Sequence, residues 1–136
     1  MKKVFVSGSF DMLHSGHVTF LQEAAKYGNL YVGIGNDESI LKFKGRKPVC
    51  SEAERLFMVK ALKCVENAHI NGGEGQTDWK DFVLGLRPDI MIVNEDQDTP
   101  EKRAFCKWLK IKYKVLKRFT LFGMAARSTT ELRKIL

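Results

Sequence analysis

Proline and cysteine are both scarce in this 136-residue chain, with three of each. So few prolines exclude a collagen-like or extended proline-rich chain. The cysteines, Cys50, Cys64 and Cys106, are odd in number and far apart. That pattern excludes a disulfide framework and points to reduced thiols in a reducing compartment. No two of them have the spacing of zinc ligands. Long hydrophobic runs are missing too, and nothing approaches the roughly 18 apolar residues of a membrane span. The start, Met1-Lys2-Lys3-Val4-Phe5-Val6, has the basic beginning of a signal peptide. Its apolar stretch stops at Ser7-Gly8-Ser9, short of an h-region of about 7–15 residues. A cytoplasmic protein is the expectation. There is no internal repeat, linker or low-complexity segment.

What is present is an ordinary globular composition, 44% hydrophobic and 29% charged. A chain of this length reads as a single domain over residues 1–136, burying about two-thirds of its unfolded surface. Its charge is unbalanced: Lys and Arg number 23 against 16 Asp and Glu, a net +7. The excess sits late, with 13 basic and 8 acidic groups in residues 76–136 and eight basic residues from Lys102 to Arg118. Such a balance suits an anionic partner, either nucleic acid or a phosphorylated small molecule. A solvated lysine-rich face accounts for it equally well.

Hydrophobic periodicity alternates between strand and helix along the whole chain. Lys3–Ser7 reads as a first strand, and Ser15 as the cap of a helix burying Val18, Leu21, Ala24 and Ala25. Leu30–Ile34 is a second strand, and residues 36–50 read as a polar loop carrying Lys42, Lys44, Arg46 and Lys47. Ser51-Glu52-Ala53-Glu54 has the form of a capping box, opening a helix that would bury Ala53, Leu56, Phe57 and Ala61. A third strand covers Cys64–Ile70, a helix runs from near Thr77 and ends before Arg87-Pro88, and Asp89–Val93 is the clearest buried strand, the fourth. Thr99-Pro100 caps a helix burying Ala104, Phe105, Trp108 and Leu109. Lys112–Arg118 is a fifth strand, and Ser128–Glu131 is a second capping box. Interleaved strands and helices predict an α/β fold, a five-stranded parallel sheet with helices on both faces. Ligands of such sheets bind beyond the carboxyl ends of the strands. The loops after the first, second, fourth and fifth strands are therefore expected to line one site.

The chemistry concentrates in Gly8-Ser9-Phe10-Asp11-Met12-Leu13-His14-Ser15-Gly16-His17. It joins a strand to a helix, where unpaired backbone N–H groups favour phosphate. Gly8 and Gly16 permit close approach of backbone to ligand. His14 and His17, three residues apart, can both serve that site from the first helical turn. A zinc pair is the rival, but the spacing is not i,i+4 and no third ligand is evident.

These residues resemble the G-[ST]-F-D-x-x-H-x-G-H signature of the cytidylyltransferase-like nucleotidyltransferases, which include glycerol-3-phosphate cytidylyltransferase, archaeal FAD synthetase and the adenylyltransferase domain that makes ADP-heptose. The segment Ser51-Glu52-Ala53-Glu54-Arg55 resembles that family's E-x-R helix start, and Ser128-Thr129-Thr130 its closing S-T-T. The resemblance implies a Rossmann-like domain moving a nucleoside monophosphate, from CTP or ATP, onto a small phosphorylated acceptor with release of pyrophosphate. It implies catalytic roles for His14, His17 and Lys44, with Arg46 assisting. Nucleotide contacts would fall to Gly8, Ser9, Phe10, Asp11, Gly16, Arg55, Asn94, Ser128, Thr129 and Thr130. Arg46, Asp96 and Arg127 would support the acceptor, Mg²⁺ would bridge the phosphates with Asp11 a candidate for binding it or for ordering the loop, and a homodimer is expected.

The closing segment departs from the glycerol-phosphate branch, since Ala126 stands where that branch has glycine and its preceding Arg is absent. Arg118 and Arg127 are the nearest substitutes. Lys44-Gly45-Arg46-Lys47-Pro48-Val49 looks more like the heptose branch. Phe119, Leu121, Phe122 and Met124 are expected to form an apolar pocket wall or subunit contact. Acceptors left open are a sugar phosphate, a polyol phosphate and FMN; a catalytically silent nucleotide sensor is the alternative class. An aminoacyl-tRNA synthetase shares a related H-x-G-H motif, but no K-M-S-K-S-like loop is present. Nucleic acid is not expected as a partner, because Trp108 falls on the predicted buried face and leaves Tyr113 as the main stacking residue. His69 reads as structural.

Overall fold

The computed structural model describes residues 2–117 and 129–135, without the side chains of 129–131. Five strands, β1 (Lys3–Gly8), β2 (Asn29–Ile34), β3 (Val65–Ile70), β4 (Ile90–Asn94) and β5 (Lys112–Leu116), form one sheet in the order β3-β2-β1-β4-β5. Every pairing is parallel. Alternation along each strand sends successive side chains to opposite faces. Val4, Val6, Ile90 and Ile92 join one core cluster with Leu21, Ala24 and Val59. Phe5, Met91 and Val93 join the other, with Trp79, Val83 and Cys106. Helices α1 (Ser15–Ala25) and α3 (Glu52–Lys60) thus cover one face, and α4 (Lys80–Leu86) and α5 (Pro100–Leu109) the other. The fold is an α/β, Rossmann-like single domain. From β1 the chain builds outward through β2 and β3, then returns to β4 on the other side of β1, so the switch point lies at the carboxyl ends of β1 and β4.

Four local expectations need correction. Residues 37–44, read as loop, form helix α2 (Asp37–Lys44). Its signals are all present: the Asn36 side chain accepts from Ser39 N–H, Asp37 and Glu38 occupy the first turn, and Lys42 and Lys44 the last. Gly45 closes it at φ 73°, a left-handed conformation that costs glycine little. The second correction is the cap of α1, which is His14 and not Ser15.

Helices α3 and α5 are rotated from their predicted phases. In α3 the inward residues are Arg55 and Val59, while Ala53, Phe57 and Ala61 are exposed. In α5 the fully buried residue is Cys106, and Ala104 and Trp108 face out. A sixth helix, α6 (Thr129–Ile135), follows the stretch 118–128, which lies outside the described residues together with Arg118, Phe119, Leu121, Phe122, Met124, Ala126, Arg127 and Ser128. Among the described residues no helix is long and apolar enough to cross a membrane.

Candidate functional site

The loop from β1 into α1 is tightly constrained. Phe10 and Met12 both adopt left-handed backbone, at φ 52° and 50°, a strained choice for bulky residues that surrounding contacts must hold. Phe10 turns its ring into the core, edge-on to His17 at 5.4 Å between centroids. A Cβ on Gly8 would meet that ring at 3.0 Å, so glycine makes room for Phe10 here. Phe10 thus shapes the loop from beneath.

His14 and His17 form a reciprocal capping box at the start of α1. The His14 Nδ1 accepts from Gly16 N–H at 3.1 Å, and the His17 Nδ1 accepts from His14 N–H at 3.2 Å. The rings stack, 3.8 Å between centroids and 22° from parallel. A nitrogen that accepts a hydrogen bond carries no proton, so both imidazoles are held as the tautomer protonated on Nε2. Two N–H donors are thereby preset on adjacent rings.

Asp11 lies at the centre of the loop cluster and is 2% exposed. Val49 N–H and Cys50 N–H donate to its two oxygens at 2.7 and 2.8 Å, and Arg133 Nη2 of α6 donates at 2.9 Å. Burial by itself would raise the pKa of this carboxyl. The bonds from Cys50 and Val49 and the Arg133 charge outweigh it and hold the group below the usual value. Arg133 also donates to Lys47 O at 3.4 Å, so α6 is tied to both the first loop and the cationic loop after α2. Lys44, the last residue of α2, stands in this neighbourhood. Its side chain reaches solvent, yet the protein packed around the ammonium pushes its pKa down, helped by the Arg46 and Arg133 charges and opposed by Asp11.

Arg55 is the other organiser, and it turns inward from α3. It is 1% exposed. Its Nε donates to Cys50 O at 3.0 Å, Nη1 to Ser9 O at 2.8 Å and Gly35 O at 2.7 Å, and Nη2 to Asp37 Oδ1 at 2.7 Å. Four bonds from one planar fork join the loop after β1, the end of β2, the start of α2 and the cap region of α3. Its donors thus face protein oxygens in this arrangement.

The structure therefore brings together Gly8, Ser9, Phe10, Asp11, His14, Gly16 and His17 with the Lys44–Arg46 loop and Arg55. Asn94, at the end of β4 beside β1, turns to its own loop and accepts from Gln97 N–H at 3.1 Å. Asp96 sits exposed on that loop. Arg127 and Ser128 lie outside the described residues, as do the side chains of Thr129 and Thr130. His69 packs its ring on Phe82 at 4.5 Å between centroids, consistent with a structural part. Two site residues went unnoticed in the sequence, Asp37 and Arg133. The signal for Arg133 was its position one helical turn beyond Thr130, on the helix opened by S-T-T.

A resident metal does not fit these residues. Both Asp11 oxygens are engaged by N–H donors, and among the described residues no group of three His, Cys, Asp or Glu is arranged to hold an ion. The bonds Asp11 makes are those of the other part the sequence offers it, ordering the loop.

The family model described as cytidylyltransferase-like matches residues 5–135. The chain belongs to this family. An FAD synthase from Methanocella paludicola is 42% identical over 103 residues, covering 75% of this chain and 70% of that protein. The bifunctional protein HldE of Helicobacter pylori is 39% identical over 97 residues, covering 70% of this chain and 20% of its own length. Among solved structures, the lipopolysaccharide core biosynthesis protein from Thermoplasma volcanium superposes with a TM-score of 0.73 at 29% identity, covering 89% of this chain and 98% of that one. This cytidylyltransferase-like protein is thus a nucleotidyltransferase, and its motif loop, its cationic loop and α6 meet at the carboxyl edge of the sheet, where nucleotides bind in such folds.

Proposed function

We propose that the protein transfers an adenylyl group from ATP to FMN, releasing pyrophosphate, and that residues of the β1–α1 loop, the α2–α3 loop and α6 carry the reaction. The observation that supports it most is the pair of stacked imidazoles with their Nε2 protons preset, on the same loop as Asp11, which Arg133 contacts and whose charge Lys44 feels. In this reading an acceptor phosphate oxygen attacks the α-phosphorus in line, and the bond from that phosphorus to the bridging oxygen breaks as pyrophosphate leaves. The nucleophile is already an anion, so the protein needs to position it and offset charge instead of supplying a strong base. His14 and His17 donate to phosphate oxygens, Lys44 with Arg46 compensates the α-phosphate, and Arg133 serves the leaving end. Gly8, Ser9, Gly16 and Asn94 line the nucleotide, with Ser128, Thr129 and Thr130 assigned to it by resemblance. Arg55 and Asp11 hold the loops. Mg²⁺ enters bound to the triphosphate, as part of the substrate.

FMN is the acceptor of choice because the Methanocella paludicola relative, 42% identical, is named an FAD synthase. A sugar phosphate is the second reading, favoured by the Thermoplasma volcanium protein of lipopolysaccharide core biosynthesis, which this chain covers almost end to end. Asp96, Arg46 and Arg127 are the residues assigned to the acceptor side. We also propose the homodimer, for which Phe57, 72% exposed on α3, is the contact residue. Phe57→Glu then yields a monomer in sedimentation.

The test is pyrophosphate release with ATP or CTP, Mg²⁺, and FMN or a panel of sugar and polyol phosphates. Release that requires ATP and FMN together supports the reading. Release with a sugar phosphate instead transfers the assignment to the second one. Triphosphate binding with no release from any pair points to the nucleotide sensor.

A further inference from the structure

Trp108 overturns the argument that set nucleic acid aside. The sequence places it in the core; the structure leaves it 71% exposed on α5, while Trp79, the other tryptophan, is 2% exposed. The indole is not loose. It leans on the Phe105 ring at 6.0 Å between centroids, and Phe105 meets the buried Trp79 edge-on at 5.2 Å. A flat aromatic surface is therefore presented to solvent from a packed base.

The surroundings are cationic. From residue 102 to 117 there are seven Lys and Arg and no Asp or Glu. Arg103 and Lys107 stand at i and i+4 on the helix beside Trp108, Lys110 caps its end in left-handed backbone, and all three are exposed. The acids near this stripe are held: Glu101 pairs with Lys80 at 2.9 Å, and Asp98 with Arg103 at 2.7 Å, which keeps the Arg103 guanidinium over the Tyr113 ring. Lys112 and Lys114 of β5 alternate with Tyr113 and Val115, which pack toward α5, so their side chains lie on the other side of the sheet edge.

Lysines on an outer strand also guard it against pairing with another chain. That accounts for Lys112 and Lys114. It does not account for a braced, exposed indole, nor for Lys107 and Lys110 on the helix. A phosphate surface alone would need no aromatic, and a membrane surface would need several apolar residues to insert. A single indole among cations matches the stacking platform and charged groove used for single strands. Arg103 to Lys110 spans about 10 Å of helix, room for about three stacked nucleotides.

We propose that the outer face of α5 binds single-stranded nucleic acid, with Trp108 stacking on a base and Arg103, Lys107 and Lys110 contacting phosphates. This face involves none of the residues assigned to the transfer site, and it adjoins that site only through Arg103, which pairs with Asp98 on the loop carrying Asp96.

The test is fluorescence anisotropy of the whole protein with a labelled oligothymidylate of about 16 nucleotides, titrated over a range of salt. Trp108→Ala is expected to weaken binding about tenfold with the salt slope unchanged. Lys107→Glu with Lys110→Glu weakens it and reduces the slope by about 1.4, roughly 0.7 for each lost phosphate contact. Both variants change exposed side chains, and thermal melting at the wild-type temperature confirms intact folds. Lys44→Ala, in the transfer site, binds the oligonucleotide as the wild type does. The proposal is overturned by no binding at low salt, by full affinity in Trp108→Ala, or by tighter binding of a duplex. It is also overturned if Lys44→Ala abolishes binding, which moves the strand to the transfer site. Phosphatidylserine vesicles that bind through the same residues while the oligonucleotide does not would assign the face to a membrane.

Discussion

At the residue scale, one imidazole does two jobs that a single substitution can separate. His17 reaches back to His14 N–H as the N3 partner of a capping box, and its ring is also assigned to phosphate. Glutamine at N3 makes the same backward bond, so His17→Gln keeps the cap and removes the imidazole. Its melting temperature is expected to stay near wild type while turnover falls about a hundredfold or more. His17→Ala loses both, at a further stability cost of about 1 kcal/mol. Equal turnover in His17→Gln and wild type, by pyrophosphate release, would sink the role given to this ring. Arg55 poses the opposite case, a charged residue whose work is structural. Lysine keeps its charge but not the fork that serves four oxygens, so Arg55→Lys should lose about 3 kcal/mol in urea unfolding. A loss under about 1 kcal/mol would mean the loops hold without that fork.

At the scale of elements, the loops depend on Asp11, and pH reports it. The folded value of this carboxyl lies below the unfolded one of 3.8, so its stabilisation is complete above that value and is lost as pH falls through the folded value. Asp78 has the opposite sign. Burial raises its pKa, despite bonds from Asn36, Asn71 and Ser39, so its contribution is full below 3.8 and is lost as pH rises through the folded value. Comparing Asp11→Asn with wild type cancels Asp78. The variant should be less stable by about 3 kcal/mol near neutrality, with the gap closing in acid. A gap that is constant down the acid limb would contradict the ion pair with Arg133. The elements themselves were largely legible, and the misses have physical causes. Strands and the Ser51 and Thr99 caps follow from patterning and side-chain oxygens that accept from N3. The start of α1 escaped because imidazole is an uncommon cap. Helix α2 escaped because a cationic, glycine-bounded stretch reads as loop unless Asn36, the acidic first turn and Gly45 are weighed together. The phases of α3 and α5 failed for a shared reason: hydropathy cannot foresee that Arg55 goes inside with its donors satisfied, or that Trp108 stays out. The motif loop was legible as a site, whereas the partners of Asp11 and Arg55 are tertiary facts.

At the scale of the whole molecule, Arg133 and Asp11 join the last helix to the first loop across 122 residues of sequence. That contact also sets the electrostatics of the transfer site, because the Arg133 charge is among those pushing the Lys44 pKa below its ordinary 10.5, after burial and Arg46. If protonated Lys44 compensates the α-phosphate, turnover must fall as pH rises through its pKa. Arg133→Ala removes one repelling charge and leaves the Asp11 carboxylate less neutralised, and both changes favour the protonated ammonium. The alkaline limb of the pH–rate profile should therefore move to higher pH in Arg133→Ala, even as the rate at the plateau drops and the fold loses about 2 kcal/mol. Lys44→Ala should abolish that limb altogether. A limb that stays in place in both variants would assign the titration to another group and remove Lys44 from the chemistry. A shift in Arg133→Ala alone would make the salt link across the chain, and not the lysine, the element that pH acts on.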